Sequence, residues 1–96
     1  VQSPVPPADE AAHASRDFAD AMEALSRGDF SASAGKLASF ASAYPRDARV
    51  EDAVYLEAIA LERAGRVTDA KAAARRYLTV YPEGAHHLQA HRITGD

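Results

Sequence analysis

The residues whose types could do chemistry are few, and the densest group lies near the end of the chain. His86, His87 and His91 sit close together, and His87 and His91 are spaced i,i+4, which places two imidazoles on one helix face at a separation that can grip zinc. No third ligand is near in sequence unless His13 or Asp96 folds back. The group therefore reads better as a solvated end helix, and no metal or cofactor is expected. Ser15, Ser26, Ser31, Ser33, Ser39 and Ser42 could each offer a nucleophile, but none lies in a Gly-x-Ser-x-Gly elbow or has an ordered His–Asp partner. The run Gly65-Arg66-Val67-Thr68-Asp69-Ala70-Lys71 lacks the second glycine and the Lys-Ser/Thr ending of a phosphate loop. Carboxylates are plentiful on faces that read as solvated. Arg75-Arg76 is a basic spot too small for nucleic acid. An enzyme is not expected.

The elements that would position these residues must be helices. Of 96 residues, 47% are apolar, and much of that share is alanine, the best helix former. Tryptophan is absent, asparagine is absent and β-branched residues are few, so a sheet is not expected. A chain of this length buries roughly 60–65% of its unfolded surface, enough for one modest core. There is no cysteine, which removes disulfides, thiolate metal sites and any lipid-attachment cysteine within this stretch. The formal charge is −3, with signs that alternate along the chain and no basic stripe. No apolar run approaches the ~20 residues that span a bilayer. The opening Val1-Gln2-Ser3-Pro4-Val5-Pro6-Pro7 lacks the basic and apolar regions of a signal peptide. It reads as a proline-rich linker over residues 1–8, cut from within a longer protein, ahead of a domain over residues 9–96.

Asp9 or Glu10 suits a helix start, and Phe18, Met22 and Leu25 recur at helical spacing with Ala14 and Ala21 beside them. Gly28 ends that helix and Asp29 is placed to cap the next, which carries Phe30, Ser33 or Ala34, Leu37, Phe40 and Tyr44 until Pro45 stops it. A third helix is expected over residues 47–64, with Val50, Val54, Leu56, Ala58, Ile59 and Leu61 as its apolar face. A fourth runs over 68–81, with Ala70, Ala73, Ala74, Tyr77 and Leu78 inward, and a short fifth over 85–94. Glu23 with Arg27 and Glu62 with Arg66 are i,i+4 pairs in the favourable order, worth ~0.2–0.5 kcal/mol each.

A period organises all of this. Gly28 and Gly65 are 37 residues apart, and so are Tyr44-Pro45 and Tyr81-Pro82. At the same offset Ala21 meets Ala58, Ala48 meets Ala85 and Ala53 meets Ala90, while Phe18 matches Tyr55, Met22 matches Ile59 and Phe40 matches Tyr77. The identities fall where physics needs them. Alanine at a helix crossing lets backbones approach, glycine makes the turn within a pair, and proline stops the second helix. Pairs that cannot bury an apolar face alone then stack on their neighbours.

With Gly65, Val67, Ala70, Ala74, Tyr77 and Pro82 in one unit, and Gly28, Phe30, Ser33, Leu37, Phe40 and Pro45 in the other, the sequence resembles the tetratricopeptide repeat family. Serine stands at Ser33 where alanine is usual, and the extra residues relative to the common ~34-residue period fall between Pro45 and Gly65. Tyr44-Pro45-Arg46-Asp47-Ala48 and Glu51-Asp52-Ala53-Val54-Tyr55-Leu56 are similar to a bacterial envelope subgroup. It includes the cell-division coordinator of the Tol–Pal system and the lipoprotein of the outer-membrane β-barrel assembly machine. The resemblance implies an all-α, right-handed α-solenoid of antiparallel helix pairs: about five helices, two repeats and a short closing helix. It also implies residence in the bacterial periplasm or cell envelope, with the cytoplasm as the alternative.

In such repeats the first helix of each pair lines a concave groove. Carried over, that assigns Ser15, Phe18, Met22, Leu25 and Ser26 in the first unit, Asp52, Tyr55, Ile59, Glu62 and Arg63 in the second, and Gln89 and Arg92 in the partial third. The partner-binding expectation rests on Phe18, Met22, Leu25, Tyr55, Ile59, Glu62, Arg63 and Arg92. Phe18, Met22, Tyr55 and Ile59 fit a core equally well, because periodicity does not separate groove from core. The expected function is a scaffold or adapter that holds a peptide or partner domain, with no nucleic-acid partner and no membrane insertion by this stretch. The alternatives are self-association of open repeat ends to make a homodimer, and a metal-dependent activity at the histidines.

Overall fold

A computed structural model describes residues 8–95, and within them the chain forms five α-helices and no strand. They are α1 (Ala8–Ser26), α2 (Phe30–Ala43), α3 (Val50–Arg63), α4 (Val67–Val80) and α5 (His87–Thr94). Apart from Ala8, with which α1 begins, the proline-rich stretch expected to be a linker lies outside the described residues.

Two kinds of connection recur. Within each pair a glycine takes the left-handed conformation, Gly28 at φ 85° and Gly65 at φ 81°. Around each, the chain closes with the same bonds: Asp29 N–H to Ala24 carbonyl at 2.9 Å, and Arg66 N–H to Leu61 carbonyl at 2.9 Å. That six-to-one closure satisfies carbonyls the helix end leaves open, and only glycine holds the required φ without strain. Between pairs, a tyrosine before proline is driven out of the helical region. Tyr44 sits at φ −129°, ψ 62° and Tyr81 at φ −126°, ψ 64°.

After each Tyr-Pro the chain makes successive tight turns, Asp47 N–H to Tyr44 carbonyl and Val50 N–H to Asp47 carbonyl, then Gly84 to Tyr81 and His87 to Gly84. These turns explain why α3 and α5 begin at Val50 and His87, later than residues 47 and 85. Asp29 does occupy the N-cap of α2, but its carboxylate makes no cap bond and reaches back to Arg27 instead, with oxygen to Nη2 at 3.2 Å.

Each helix packs on the next in sequence, and α3 also touches α5, so the pairs stack as a solenoid. The contacts run through small residues. Ala21, Ala24, Ala53, Ala58, Ala60, Ala73, Ala74 and Ala90 are fully buried, with Leu37, Phe40 and Tyr77 as the large side chains among them. Ser33, where Ala70 stands in the other repeat, is also fully buried, and its hydroxyl donates to the Ala21 carbonyl at 3.0 Å. The serine is tolerated because its one polar group is paired.

Candidate protein-binding face

The first helix of each pair carries two stripes. On α1 the buried stripe is Ala14, Ala21 and Ala24, and on α3 it includes Ala53, Ala58 and Leu61. The second stripe holds the larger residues, and these are only half-buried: Phe18, Met22 and Leu25 on α1, Tyr55 and Ile59 on α3. Ser15, Ser26, Asp52, Glu62, Arg63 and Arg92 are exposed, and Gln89 is half-buried. Neither extreme reading of the apolar stripe holds in full. Phe18 leans on the cluster of Ala14, Leu37 and Phe40, while Leu25, Tyr55 and Ile59 lean on the cluster around Ala58, Ala74 and Tyr77. Each packs on one side and stays accessible on another.

Two of these residues are partly claimed by the turns between pairs. Beside α1, Phe18, Phe40 and Tyr44 form an aromatic row, with ring centroids 5.2 and 5.4 Å apart. Arg49 lays its guanidinium over Phe18 and Phe40 at 5.5 and 5.6 Å, and its Nη1 donates to Ser15 Oγ at 3.2 Å. Asp47 fixes that arginine. Its two oxygens accept from Nε and Nη2 at 2.9 Å each, and Oδ1 also accepts the Arg49 backbone N–H at 2.9 Å. The guanidinium hydrogen bond, joined by the backbone one, holds the Asp47 carboxyl down to about 2 from its ordinary 3.8.

Beside α3 the row is Tyr55, Tyr77 and Tyr81, and His86 takes the place of Arg49. Its imidazole stacks on Tyr55 at 4.2 Å with planes 4° apart, and Nε2 lies 2.8 Å from Asp52 Oδ1. No acid stands at the Asp47 position here, because Gly84 does. The backbone N–H of His86 donates to the Tyr77 hydroxyl at 2.9 Å, and that hydroxyl donates to Glu51 Oε2 at 2.7 Å. Glu51 Oε2 also accepts the Ala85 N–H at 2.9 Å. Burial, and then the bond to Glu51, push the Tyr77 hydroxyl up to about 12.

Other charged candidates are similarly engaged. Arg63 sits over the Phe30 ring at 6.0 Å, so this guanidinium is parked on α2. The expected Glu62–Arg66 pair does not form: Arg66 turns to Asp69 at 2.8 Å. Arg66 precedes α4, and helical i,i+4 geometry does not hold across the glycine turn. The Glu23–Arg27 pair does form, at 3.5 Å. Arg76, half of the expected solvent-facing basic spot, pairs with Glu57 of α3 at 3.0 Å. Burial pushes the Glu57 carboxyl above its ordinary value, against the pull of Arg76.

The three histidines do not converge. His86 faces Asp52, His87 Nδ1 lies 2.9 Å from the Gly84 carbonyl, and His91 is exposed. Among the described residues no three His, Cys, Asp or Glu side chains are grouped to hold a metal ion, and no helix is long and apolar enough to cross a membrane. Clefts of about 550 and 270 Å³ open between α1 and α2 and between α2 and α4, and none of the carried-over groove residues lines them.

Arg49 and His86 are the site residues that pattern reading passed over. They share the 37-residue offset, but an arginine and a histidine do not look alike until both are seen lying on the aromatic of the preceding pair. Residues 10–96 match the model of the YfiO family, described as outer membrane lipoprotein. No curated protein and no solved structure matches the chain.

Proposed function

The chain belongs to the YfiO family of outer membrane lipoproteins, a family of the cell envelope, and we propose that it works there as a non-enzymatic interaction module that holds a peptide or partner segment along α1, α3 and α5. One observation carries the reading. The helix pairs close through alanine, which leaves Met22, Leu25 and Ile59 half-accessible in a row on the first helices, with exposed Asp52, Glu62 and Arg92 at the edge. Apolar anchors with a polar rim suit a protein surface. Phe18 and Tyr55 serve the row differently: each has one face covered by Arg49 or His86, so they shape its floor.

Tyr55 is a poor residue to test for that reason, since truncating it would disturb the turn. Met22→Ser with Ile59→Ser is cleaner. Peptides selected from a displayed random library on the native protein should lose at least about tenfold in affinity for the double variant, with helical circular dichroism unchanged. Peptides that bind both proteins alike would end the proposal, and so would a variant that loses its helices, since the side chains would then be core.

A further inference from the structure

α2 covers α1 and α4 covers α3, whereas among the described residues no helix covers α5 in that way. Leu88 marks the uncovered side. Its counterparts one and two repeats earlier are Glu51, which reaches the Tyr77 hydroxyl of α4, and Ala14, which is 2% exposed against Leu37 and Phe40 of α2. Leu88 itself is 71% exposed. One turn on, His91 stands where Val54 packs against the core of the second pair. On α4, Lys71, Arg75 and Leu78 occupy the positions at which α2 presents Ala34, Ala38 and Ala41. Ala34 is buried in the core with α3 and α4, and Ala38 lines a cleft with Glu57 and Leu61. The end of the solenoid therefore has two leucines, Leu78 and Leu88, flanked by Lys71, Arg75 and His91.

We propose that this end face of α4 and α5 docks an amphipathic helix from another protein, with an apolar stripe edged by Asp and Glu. The shape of the occupant follows from the repeat, which twice covers this side of a first helix with a second one. Its charge follows from the rim. Lys71, Arg75 and His91 have no side-chain partner among the described residues, and from Ala70 to Gly95 the one acid is Glu83. The charges that seemed to alternate along the chain are thus segregated toward this end. Another pair of the same kind would nest on alanines, which Lys71 and Arg75 replace. A second copy is a weaker fit. Its acids gather on α1, at Asp9, Glu10, Asp17, Asp20 and Glu23, but the apolar stripe of α1 is already spent on its own pair. The large exposed apolar residues, Val67, Val80 and Leu88, all lie on α4 and α5.

A fluorescent synthetic peptide tests this. It has the 14-residue length of α4, leucines at i, i+3, i+4 and i+7, and glutamates beside them. A control carries lysines in place of the glutamates. By anisotropy the acidic peptide should bind, and the basic one at least about tenfold more weakly. Leu88→Ser, and separately Lys71→Glu with Arg75→Glu, should each weaken the acidic peptide by about tenfold or more at unchanged circular dichroism. Met22→Ser with Ile59→Ser should leave it unaffected, which separates this face from the groove. The proposal is overturned if both peptides bind alike or if Leu88→Ser has no effect. It is also overturned if the groove variant abolishes binding, or if the protein alone sediments as a Leu88-dependent dimer.

Discussion

The two turns that join the helix pairs, residues 44–49 and 81–86, reach one geometry with different atoms. In the first, an acid in the turn (Asp47) receives the backbone N–H of residue 49 and clamps a cation onto an aromatic row. In the second, a helix supplies the polar atoms. The Tyr77 hydroxyl receives the N–H of residue 86, Glu51 backs the hydroxyl, and the turn residue shrinks to Gly84. A Cβ on Gly84 would collide with Glu51 Oε2 and the Tyr77 hydroxyl. Where the helices instead offer Ala14 and Phe40, the same space holds the Asp47 side chain. The lesson is that a repeat preserves satisfied backbone groups and filled volume, and residues far apart in sequence change together to keep both.

The largest effect should come from forcing one solution into the other's place. Gly84→Asp puts a side chain and a like charge against Glu51, and should cost about 3 kcal/mol, read from urea melts followed by circular dichroism. Adding Glu51→Ala and Tyr77→Phe rebuilds the first turn's set in the second and should recover all but about 1 kcal/mol. A single variant that melts like the native protein would mean the turns are not alternative packings at all.

Tyr77→Phe alone comes next. It strands the His86 N–H and removes the donor to Glu51, so a loss of about 1–2 kcal/mol is expected, with hydrogen exchange rising in α5 more than in α1. Equal exchange in both helices would show that the hydroxyl does not hold this turn in particular.

The two turns should also fail at opposite ends of the pH scale. Asp47 is held below its ordinary value, so its contribution is complete above about pH 4 and is lost as pH falls through about 2. Tyr77 is held above its ordinary 10.0, so its contribution is complete below that pH and is lost as pH rises through about 12. Stability followed against pH should show Asp47→Asn converging with the native protein only on the acid limb. Tyr77→Phe should converge only on the alkaline one. Convergence of either variant on the wrong limb breaks the assignment.

The fold was legible because its signals are single residues. Gly28, Gly65, Pro45 and Pro82 each act through their own backbone, and Ala21 and Ala58 act by being small. Asp47 with Gly84, Phe40 with Tyr77 and Ala14 with Glu51 could not be read the same way. Each change looks arbitrary until all three are placed around one backbone N–H. The groove residues fell between: helical spacing puts Met22 and Ile59 on one side of their helices, but how far that side is covered depends on what the next turn folds over it. Arg49 and His86 cover Phe18 and Tyr55 and leave Met22 and Ile59 half-accessible.

The smallest effect is expected where the repeats differ without consequence for either turn. Glu57 and Arg76 tie α3 to α4, with side chains 14% and 59% exposed, and their counterparts in the first pair, Asp20 and Ser39, are both exposed. The first pair packs without such a bridge, so the second should not depend on it. Burial raises the Glu57 carboxyl, so its protonated form is the one the fold favours. That favour is present at acid pH and lost as pH rises through the folded value, leaving a mildly disfavoured charge at neutrality. Glu57→Gln should therefore leave neutral-pH stability within about 0.5 kcal/mol of native, while Arg76→Ala, which strands the carboxylate, should cost about 1 kcal/mol. If the glutamine variant loses more than the alanine one, the ion pair is a structural tie of the second pair, and the two hairpins differ in what holds them as well as in what joins them.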